Sequence, residues 1–200
     1  LTWPTVDTLY DRIWRSDPDV SIQRIFMGNA AGGQKFKVEI PPEVTNPTDD
    51  DKRFAEFYEQ ALEDMNVLKL WRKNTSLTPF KGWAWWEIVP GLRTKGWHPP
   101  DKTDMWESQF DDGLVGIREL AWRDHSTFDE WEGLEQGGTG RMTGMVQSDL
   151  MSARPSVVLP LSESVHMTFG DEDNPEGLAT LEAIYRLERV LFALEVVQGI

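Results

Sequence analysis

Cysteine is absent from this chain of 200 residues, so disulfide bonds, thiolate metal sites and cysteine nucleophiles are excluded together. Basic residues are scarce: 20 Lys and Arg stand against 34 Asp and Glu, which gives a net charge of −14. This charge argues against a protein that holds phosphate backbones on a basic patch, although it would let DNA slide past without being trapped. No apolar run approaches the length of a membrane span, and we expect no membrane partner.

Motifs typical of enzymes and cofactor-binding proteins are also missing. The glycine pairs do not form the phosphate-binding patterns G-x-x-x-x-G-K-[ST] or G-x-G-x-x-G. His98, His125 and His166 lack metal-ligand spacing, so we expect structural or solvent-exposed histidines rather than metal ligands. His125 lies beside Asp124 and Ser126, but adjacent side chains usually point in different directions. We therefore predict that the protein is not an enzyme, with no catalytic, cofactor-binding or metal-binding residue.

Carboxylates and tryptophans support an alternative interpretation. Glu87 is the one charged residue within the aromatic segment 83–89. We expect its carboxylate to face solvent or to pair with an arginine. The alternative is that Glu87 acts as a general acid with a raised pKa. Trp83, Trp85 and Trp86 could form a sugar-stacking platform, but Trp83 and Trp85 share a face at strand spacing and are expected in the core. The alternative function is a carbohydrate-binding or carbohydrate-active domain that uses exposed tryptophans and carboxylates. An acidic chain also supplies paired carboxylates by chance, as at Asp111–Asp112 and Asp129–Glu130.

The N-terminal part of the chain predicts two helices and a strand. Apolar residues at helical spacing indicate an amphipathic helix over residues 5–16. Asp17 followed by Pro18 marks the start of a second helix, because aspartate caps helix N-termini and proline suits the first turn. That helix is expected to stop in the glycine-rich stretch 28–33. The alternation over residues 35–40 predicts a strand with one solvated face.

The middle of the chain indicates one long helix followed by strands. A stripe of apolar residues over 54–65 predicts a helix with Phe57 in the core. The aromatic segment 83–89 predicts a buried strand, the polar stretch 96–113 a loop, and residues 137–140 a hairpin turn. Helices followed by antiparallel strands and a closing helix define an α+β fold. The remaining strands are predicted at residues 115–122, 141–147 and 165–169.

The C-terminal region begins with a helix-start signal. Asn174 is a good N-cap, Pro175 suits the first helical position, and acidic residues lie at the positive end of the helix dipole. A helix is therefore predicted over residues 174–200, with Gly199 as its one weak stop signal. Because no polar tail follows, we expect the native chain to continue beyond Ile200.

Seven motifs occur in order along nearly the whole chain. They are Asp17-Pro18-Asp19-Val20, the segment Lys35–Pro41, Phe54-Ala55-Glu56-Phe57, the G-W-A-W-W-E-I-V segment Gly82–Val89, Leu120 with Arg123 and Phe128, Gly144-Met145-Val146-Gln147, and an ending made of Leu159-Pro160, His166, Gly170, Asn174-Pro175, Gly177, Leu181 and Tyr185. In this order the motifs resemble the portal proteins of tailed bacteriophages, specifically the group related to the Mu-like portal.

The resemblance implies a structural protein that forms a ring, usually of twelve copies, at one capsid vertex of the virion. Genomic DNA is packaged and ejected through such a ring, and double-stranded DNA passes without sequence-specific binding. The implied partners are further copies of the chain, the major capsid protein, the large terminase subunit and a neck or head–tail adaptor protein. Assembly would take place in the host cytoplasm. Residues 1–173 would form the portal wing and residues 174–200 a helix leading toward the stem, with the clip and crown outside this chain.

Overall fold

A computed structural model describes residues 3–94, 105–134, 140–148, 155–171, 173–182 and 184–185. Within these residues helices come first and strands follow, so the predicted α+β class is confirmed. Helical residues resume at Thr180, after the last strand. The helices are α1 (Trp3–Ser16), α2 (Pro18–Ala31), α3 (Asp49–Asp64) and α4 (Val67–Lys81). The strands are β1 (Trp83–Thr94), β2 (Met105–Glu107), β3 (Val115–Arg123), β4 (Phe128–Leu134), β5 (Gly140–Gln147), β6 (Val157–Pro160) and β7 (Ser164–Thr168).

The start of α2 follows the capping signal in the sequence. The Asp17 carboxylate accepts hydrogen bonds from the backbone N–H groups of Asp19 and Val20, which satisfies two donors of the first turn. The helix continues through Gly28 and ends at Ala31, within the glycine-rich stretch 28–33 where its stop was expected. Gly28 is retained inside the helix because α4 packs against it: a Cβ there would lie 3.3 Å from the Ser76 Cβ.

The two following helices differ in how well the sequence predicts them. The α3 helix was expected, and it begins at Asp49 because Thr48 and Asp51 form a reciprocal capping box. The α4 helix is a finding that the apolar pattern does not predict. Its buried face carries polar residues where apolar periodicity requires large hydrophobic ones, namely Asn74, Thr78 and Lys81.

The first sheet is built on the long strand β1. Antiparallel β3 pairs along one side of β1, while antiparallel β7 and the short parallel strand β2 pair with successive parts of the other side. The β1–β3 register shifts between Val89 and Pro90, because proline has no N–H to donate to the ladder. The strand β2 lies inside the stretch 96–113 that was expected to be a loop, so that prediction is wrong at residues 105–107.

The second sheet has the order β4-β5-β6 and is antiparallel. Strand β5 was predicted, whereas β4 and β6 were not. The ends of β4 and β5 pair at Leu134 and Gly140, as a hairpin requires. The predicted hairpin turn lies outside the described residues except for Gly140.

The prediction of a strand over residues 35–40 is wrong. This segment has no regular secondary structure and forms no ladder with any described strand. The ring of Phe36 packs edge-on against Trp71 of α4, with ring centroids 5.7 Å apart. The Phe36 side chain of this segment therefore contacts a helix and not a neighbouring strand.

Two hydrophobic clusters hold the described elements together. One joins α1, α2 and α4 to the C-terminal residues, and its buried members are Tyr10, Ile13, Trp14, Val20, Phe80 and Leu181. The other lies between the two sheets and contains Trp83, Trp85, Phe128, Met145 and Leu159. Trp83 and Trp85 are both 0% exposed, which confirms their predicted place in the core. None of the helices in the described part of the chain combines the length and apolar composition needed to cross a bilayer.

Candidate functional site: the junction of α4, β1 and the C-terminal segment

The C-terminal segment docks where α4 gives way to β1, and we call residues 79–82 together with residues 174–180 the junction. At its centre Gly82 has φ +92° and Gly177 has φ +56°, values that L side chains rarely adopt. A Cβ on Gly177 would lie 2.2 Å from the carbonyl oxygen of Gly82, and a Cβ on Gly82 would lie 2.2 Å from that of Glu176. The two backbones therefore approach more closely than any residue with a side chain would permit.

Hydrogen bonds fix this close approach from both directions. The Phe169 N–H donates to the Gly82 carbonyl at 2.8 Å, and the Leu178 N–H donates to the Phe169 carbonyl at 2.7 Å. The Thr180 hydroxyl donates to the Pro79 carbonyl at 2.8 Å. Since Pro79 lies in the last turn of α4, its carbonyl is one of those that a helix end leaves without an intrahelical partner.

Asn174 does not cap a helix, so the predicted helix start at residue 174 is wrong. Residues 174–177 form a turn: the Gly177 N–H donates to the Asn174 carbonyl at 2.9 Å, and the Asn174 side chain bonds the Glu176 N–H and the Gly177 carbonyl at 3.0 Å each. Asn at the first position, Pro at the second and Gly at the fourth suit a type I turn as well as a helix start. The left-handed Gly177 ends the turn, and helical residues begin only at Thr180. Residues 186–200 of the predicted helix lie outside the described part of the chain.

A buried ion pair ties the N-terminal helix to the same place. Lys81, the last residue of α4, lies with its Nζ 2.5 Å from Asp7 Oδ1 and 3.0 Å from Asp11 Oδ1, both on α1. Burial raises the pKa of the Asp7 carboxyl, against the opposing effect of the Lys81 ammonium. The Lys81 side chain and that of Asp7 are each only 6% exposed, so each charge depends on the other.

Two histidines packed against tryptophan rings lie beside the junction, His125 fully buried and His166 half-buried. His166 Nε2 is 2.9 Å from the Pro175 carbonyl oxygen, and His125 Nε2 is 3.0 Å from the Trp83 carbonyl oxygen. A carbonyl only accepts, so in each ring Nε2 bears the donated proton. Burial lowers the pKa of both histidines, that of His125 to about 3 with help from the nearby Lys81 charge. Both rings are therefore neutral at pH 7, and His166 holds the 174–177 turn against β7.

The remaining ionic contacts pin loops and strands together. Arg93, 0% exposed, donates through Nη2 to Gln60 Oε1 at 2.7 Å and pairs with Asp112. Its guanidinium lies between the rings of Phe57 and Phe110, 5.0 and 4.9 Å from their centroids. Asp112 of the acidic pair 111–112 thus has a structural role: it attaches the loop before β3 to Arg93 of β1, which in turn bonds Gln60 of α3.

The structure places the other residues weighed from the sequence as follows. Glu87 pairs with Arg123 of the neighbouring strand β3, as expected for a strand-face carboxylate. Trp83, Trp85 and Trp86 are all buried, so they do not offer an exposed surface for stacking a sugar. Asp129 and Glu130 are exposed on β4, and His98 lies outside the described residues. Among the described residues, no group of three or more His, Asp and Glu side chains is arranged to hold a metal ion.

Sequence reasoning found several members of the junction without finding the junction itself. The sequence marks a boundary of secondary structure at Asn174, Pro175 and Gly177, and it includes His166 in the last of the seven motifs. The partner glycine, Gly82, was noticed only as the start of an aromatic segment. Their contact joins residues about ninety positions apart, and a local pattern carries no signal of such a contact.

Neither a scan against protein-family models nor a search among curated proteins finds a match to this chain.

Proposed function

We propose that this chain is the wing region of a portal protein of a tailed bacteriophage, a structural component of a ring through which DNA is packaged and ejected. The observation that supports this proposal best is the junction. There the N-P-x-G motif of the portal resemblance is fixed to the body of the domain through Gly82, Pro79 and His166. A wing connected to a stem needs the start of its outgoing helix attached firmly to the domain, and the hydrogen bond from Thr180 to Pro79 supports such an attachment.

The chemistry of the described residues is consistent with a structural role. The buried charges are in contact with opposite charges, as at Lys81–Asp7 and Arg93–Asp112, and these pairs connect one element to another. The net charge of −14 suits a conduit in which DNA must move, because a surface that releases few counterions holds a polyanion weakly.

The direct test is the assembly state of the full-length protein, measured by native mass spectrometry and negative-stain electron microscopy. The expected result is a closed ring of many copies with a central hole. A monomer at every concentration up to roughly 100 μM would refute the proposal, because obligate ring interfaces assemble far below that range.

A pair of matched variants tests the part assigned to the junction. Gly177→Ala should reduce the yield of closed rings, because it displaces the turn from Gly82. Gly113→Ala is the control: its φ of +67° is similarly left-handed, but a Cβ there meets nothing within 4 Å. Equal ring yields from the two variants would show that the junction does not set the geometry of the ring.

A further inference from the structure

The helix α2 is apolar on two opposite sides. One side buries Val20 and Gly28 against the domain. The other exposes Ile22, Ile25 and Phe26, which are 63%, 61% and 72% accessible. A contiguous apolar patch on the surface commonly marks an interaction site. The outer side of α2 therefore has the composition of a contact surface.

Basic residues are concentrated on two segments of this part of the domain, although the whole chain is strongly acidic and two of them are already paired, Lys81 with Asp7 and Lys37 with Glu39. Residues 20–37 and 65–81 together contain seven Lys and Arg and no Asp or Glu. The two segments lie together because α2 packs on α4, where Arg72 Nη2 donates to the carbonyl of Gly32 at 3.3 Å. Lys69 is exposed one turn earlier on α4. We call Ile22, Ile25 and Phe26 of α2, together with Lys69 and Arg72 of the adjoining helix α4, the basic face.

The helix α3 presents the complementary combination. Phe54 and Tyr58 are 63% and 57% exposed on it. Its sixteen residues include seven Asp and Glu against Lys52 and Arg53. We call Phe54 and Tyr58 with the acidic residues of α3, among them the exposed Glu59, the acidic face.

We propose that the basic face of one copy of this chain binds the acidic face of the next. Both faces have apolar centres, and their rims carry opposite charge, which favours pairing of unlike faces and opposes pairing of like ones. An interface between two different surfaces repeats head to tail and closes into a ring when the rotation permits. The inference rests on the proposed function for ring closure, but the pairing of faces is argued from these residues alone.

Duplex DNA is the competing occupant of the basic face. Phosphate binding uses Lys and Arg and gains nothing from three large apolar side chains at the centre of the surface. A partner with an apolar centre and an acidic rim uses both properties, and α3 of the neighbouring copy has them.

Because residues 1–200 contain no cysteine, cysteines introduced into them can test the pairing, with the unsubstituted protein as the background control. Ile25→Cys on the basic face and Tyr58→Cys on the acidic face are made as separate variants of the full-length protein, mixed, and treated with a short bismaleimide. The expected result is a cross-linked dimer in the mixture and none with either variant alone. The double variant should give a ladder of multimers. Glu130→Cys, exposed on β4, is the control and should cross-link with neither partner.

Charge reversal gives a second measurement that does not depend on cysteine chemistry. Lys69→Glu and Glu59→Lys should each raise the protein concentration needed for half-assembly roughly tenfold, and the double variant should recover most of that loss. Unchanged assembly in both single variants would overturn the pairing.

The outcomes separate this inference from the proposed function. Rings without the mixed cross-link, or cross-links between identical single variants, would overturn the pairing of faces and leave the ring in place. A monomer that cross-links in no mixture would overturn both. Binding of a labelled DNA duplex that is lost in Lys69→Glu would assign the basic face to nucleic acid and overturn the inference.

Discussion

Replacing Gly177 with alanine is the sharpest perturbation of this fold. The new Cβ would lie 2.2 Å from the carbonyl oxygen of Gly82 and 2.9 Å from the backbone N and O of Phe169. All three atoms belong to the backbone, so no flexible side chain can move aside. The turn must shift, and the hydrogen bonds that Phe169 makes with Gly82 and Leu178 are then weakened.

Two contributions set the size of the effect. A non-glycine residue at φ +56° costs about 1–2 kcal/mol for its left-handed conformation. Overpacking against fixed atoms costs about 1–3 kcal/mol more. Alanine also lowers the entropy of the unfolded chain, which offsets about 0.4–1 kcal/mol. We expect a loss of about 2–4 kcal/mol in the free energy of unfolding.

The measurement is urea-induced unfolding followed by tryptophan fluorescence, since the chain has ten tryptophans. Gly113→Ala is the matched control, because it shares the left-handed φ and the gain in the unfolded state but meets no atom within 4 Å. The difference between the two variants isolates the close approach at about 1–3 kcal/mol. A Gly177→Ala variant no less stable than Gly113→Ala would refute the reasoning.

Three further predictions concern buried charge, histidine and aromatic packing. Lys81→Met should cost about 3–5 kcal/mol because it leaves the buried Asp7 carboxylate unpaired, and adding Asp7→Asn should recover part of that loss in the same unfolding assay. Below pH 6.5 stability should fall as the pH falls, with a slope approaching about 1.4 kcal/mol per pH unit from His125 and a further decrease from His166. For His125 and His166 the pKa in the folded state lies below the pKa in the unfolded state, so the unfolded state binds more protons and acid favours unfolding. A free energy of unfolding that does not change between pH 6.5 and 5 would contradict this prediction. Phe57→Ala should lower the free energy of unfolding by about 3 kcal/mol, at the low end for phenylalanine because the ring is only half-buried. Phe54→Ala, at an exposed position of the same helix, should change it by less than about 0.5 kcal/mol. Equal effects of the two substitutions would refute the assigned helix face.

Local signals predicted the elements whose boundaries are set locally. Asp17 with Pro18 marks the start of α2, and the aromatic alternation at Trp83 and Trp85 marks a buried strand, because capping and side-chain period act within a few residues. The pairing of Glu87 with an arginine was also expected from its position in that strand.

The misses arise where distant packing decides between local alternatives. Asn174-Pro175 suits both a helix start and a turn, and the contact of Gly177 with Gly82 selects the turn. The sequence pattern does not predict α4, because Lys81 on the buried face of this helix pairs with Asp7, a residue 74 positions away. From sequence alone a lysine is assigned to the solvent-exposed face of a helix, and only its acidic partner shows that it is buried.

Net charge illustrates the same limit and has a functional consequence. The value of −14 is an average over the chain, yet the basic segments 20–37 and 65–81 meet in space because α2 packs on α4. An acidic average does not by itself keep DNA from binding, because DNA responds to the charge of the surface it meets. If the acidic face of a neighbouring copy covers the basic face, DNA can meet the basic face on an isolated copy but not within the assembly. Assembly would then both build the channel and remove the surface most able to hold DNA in place.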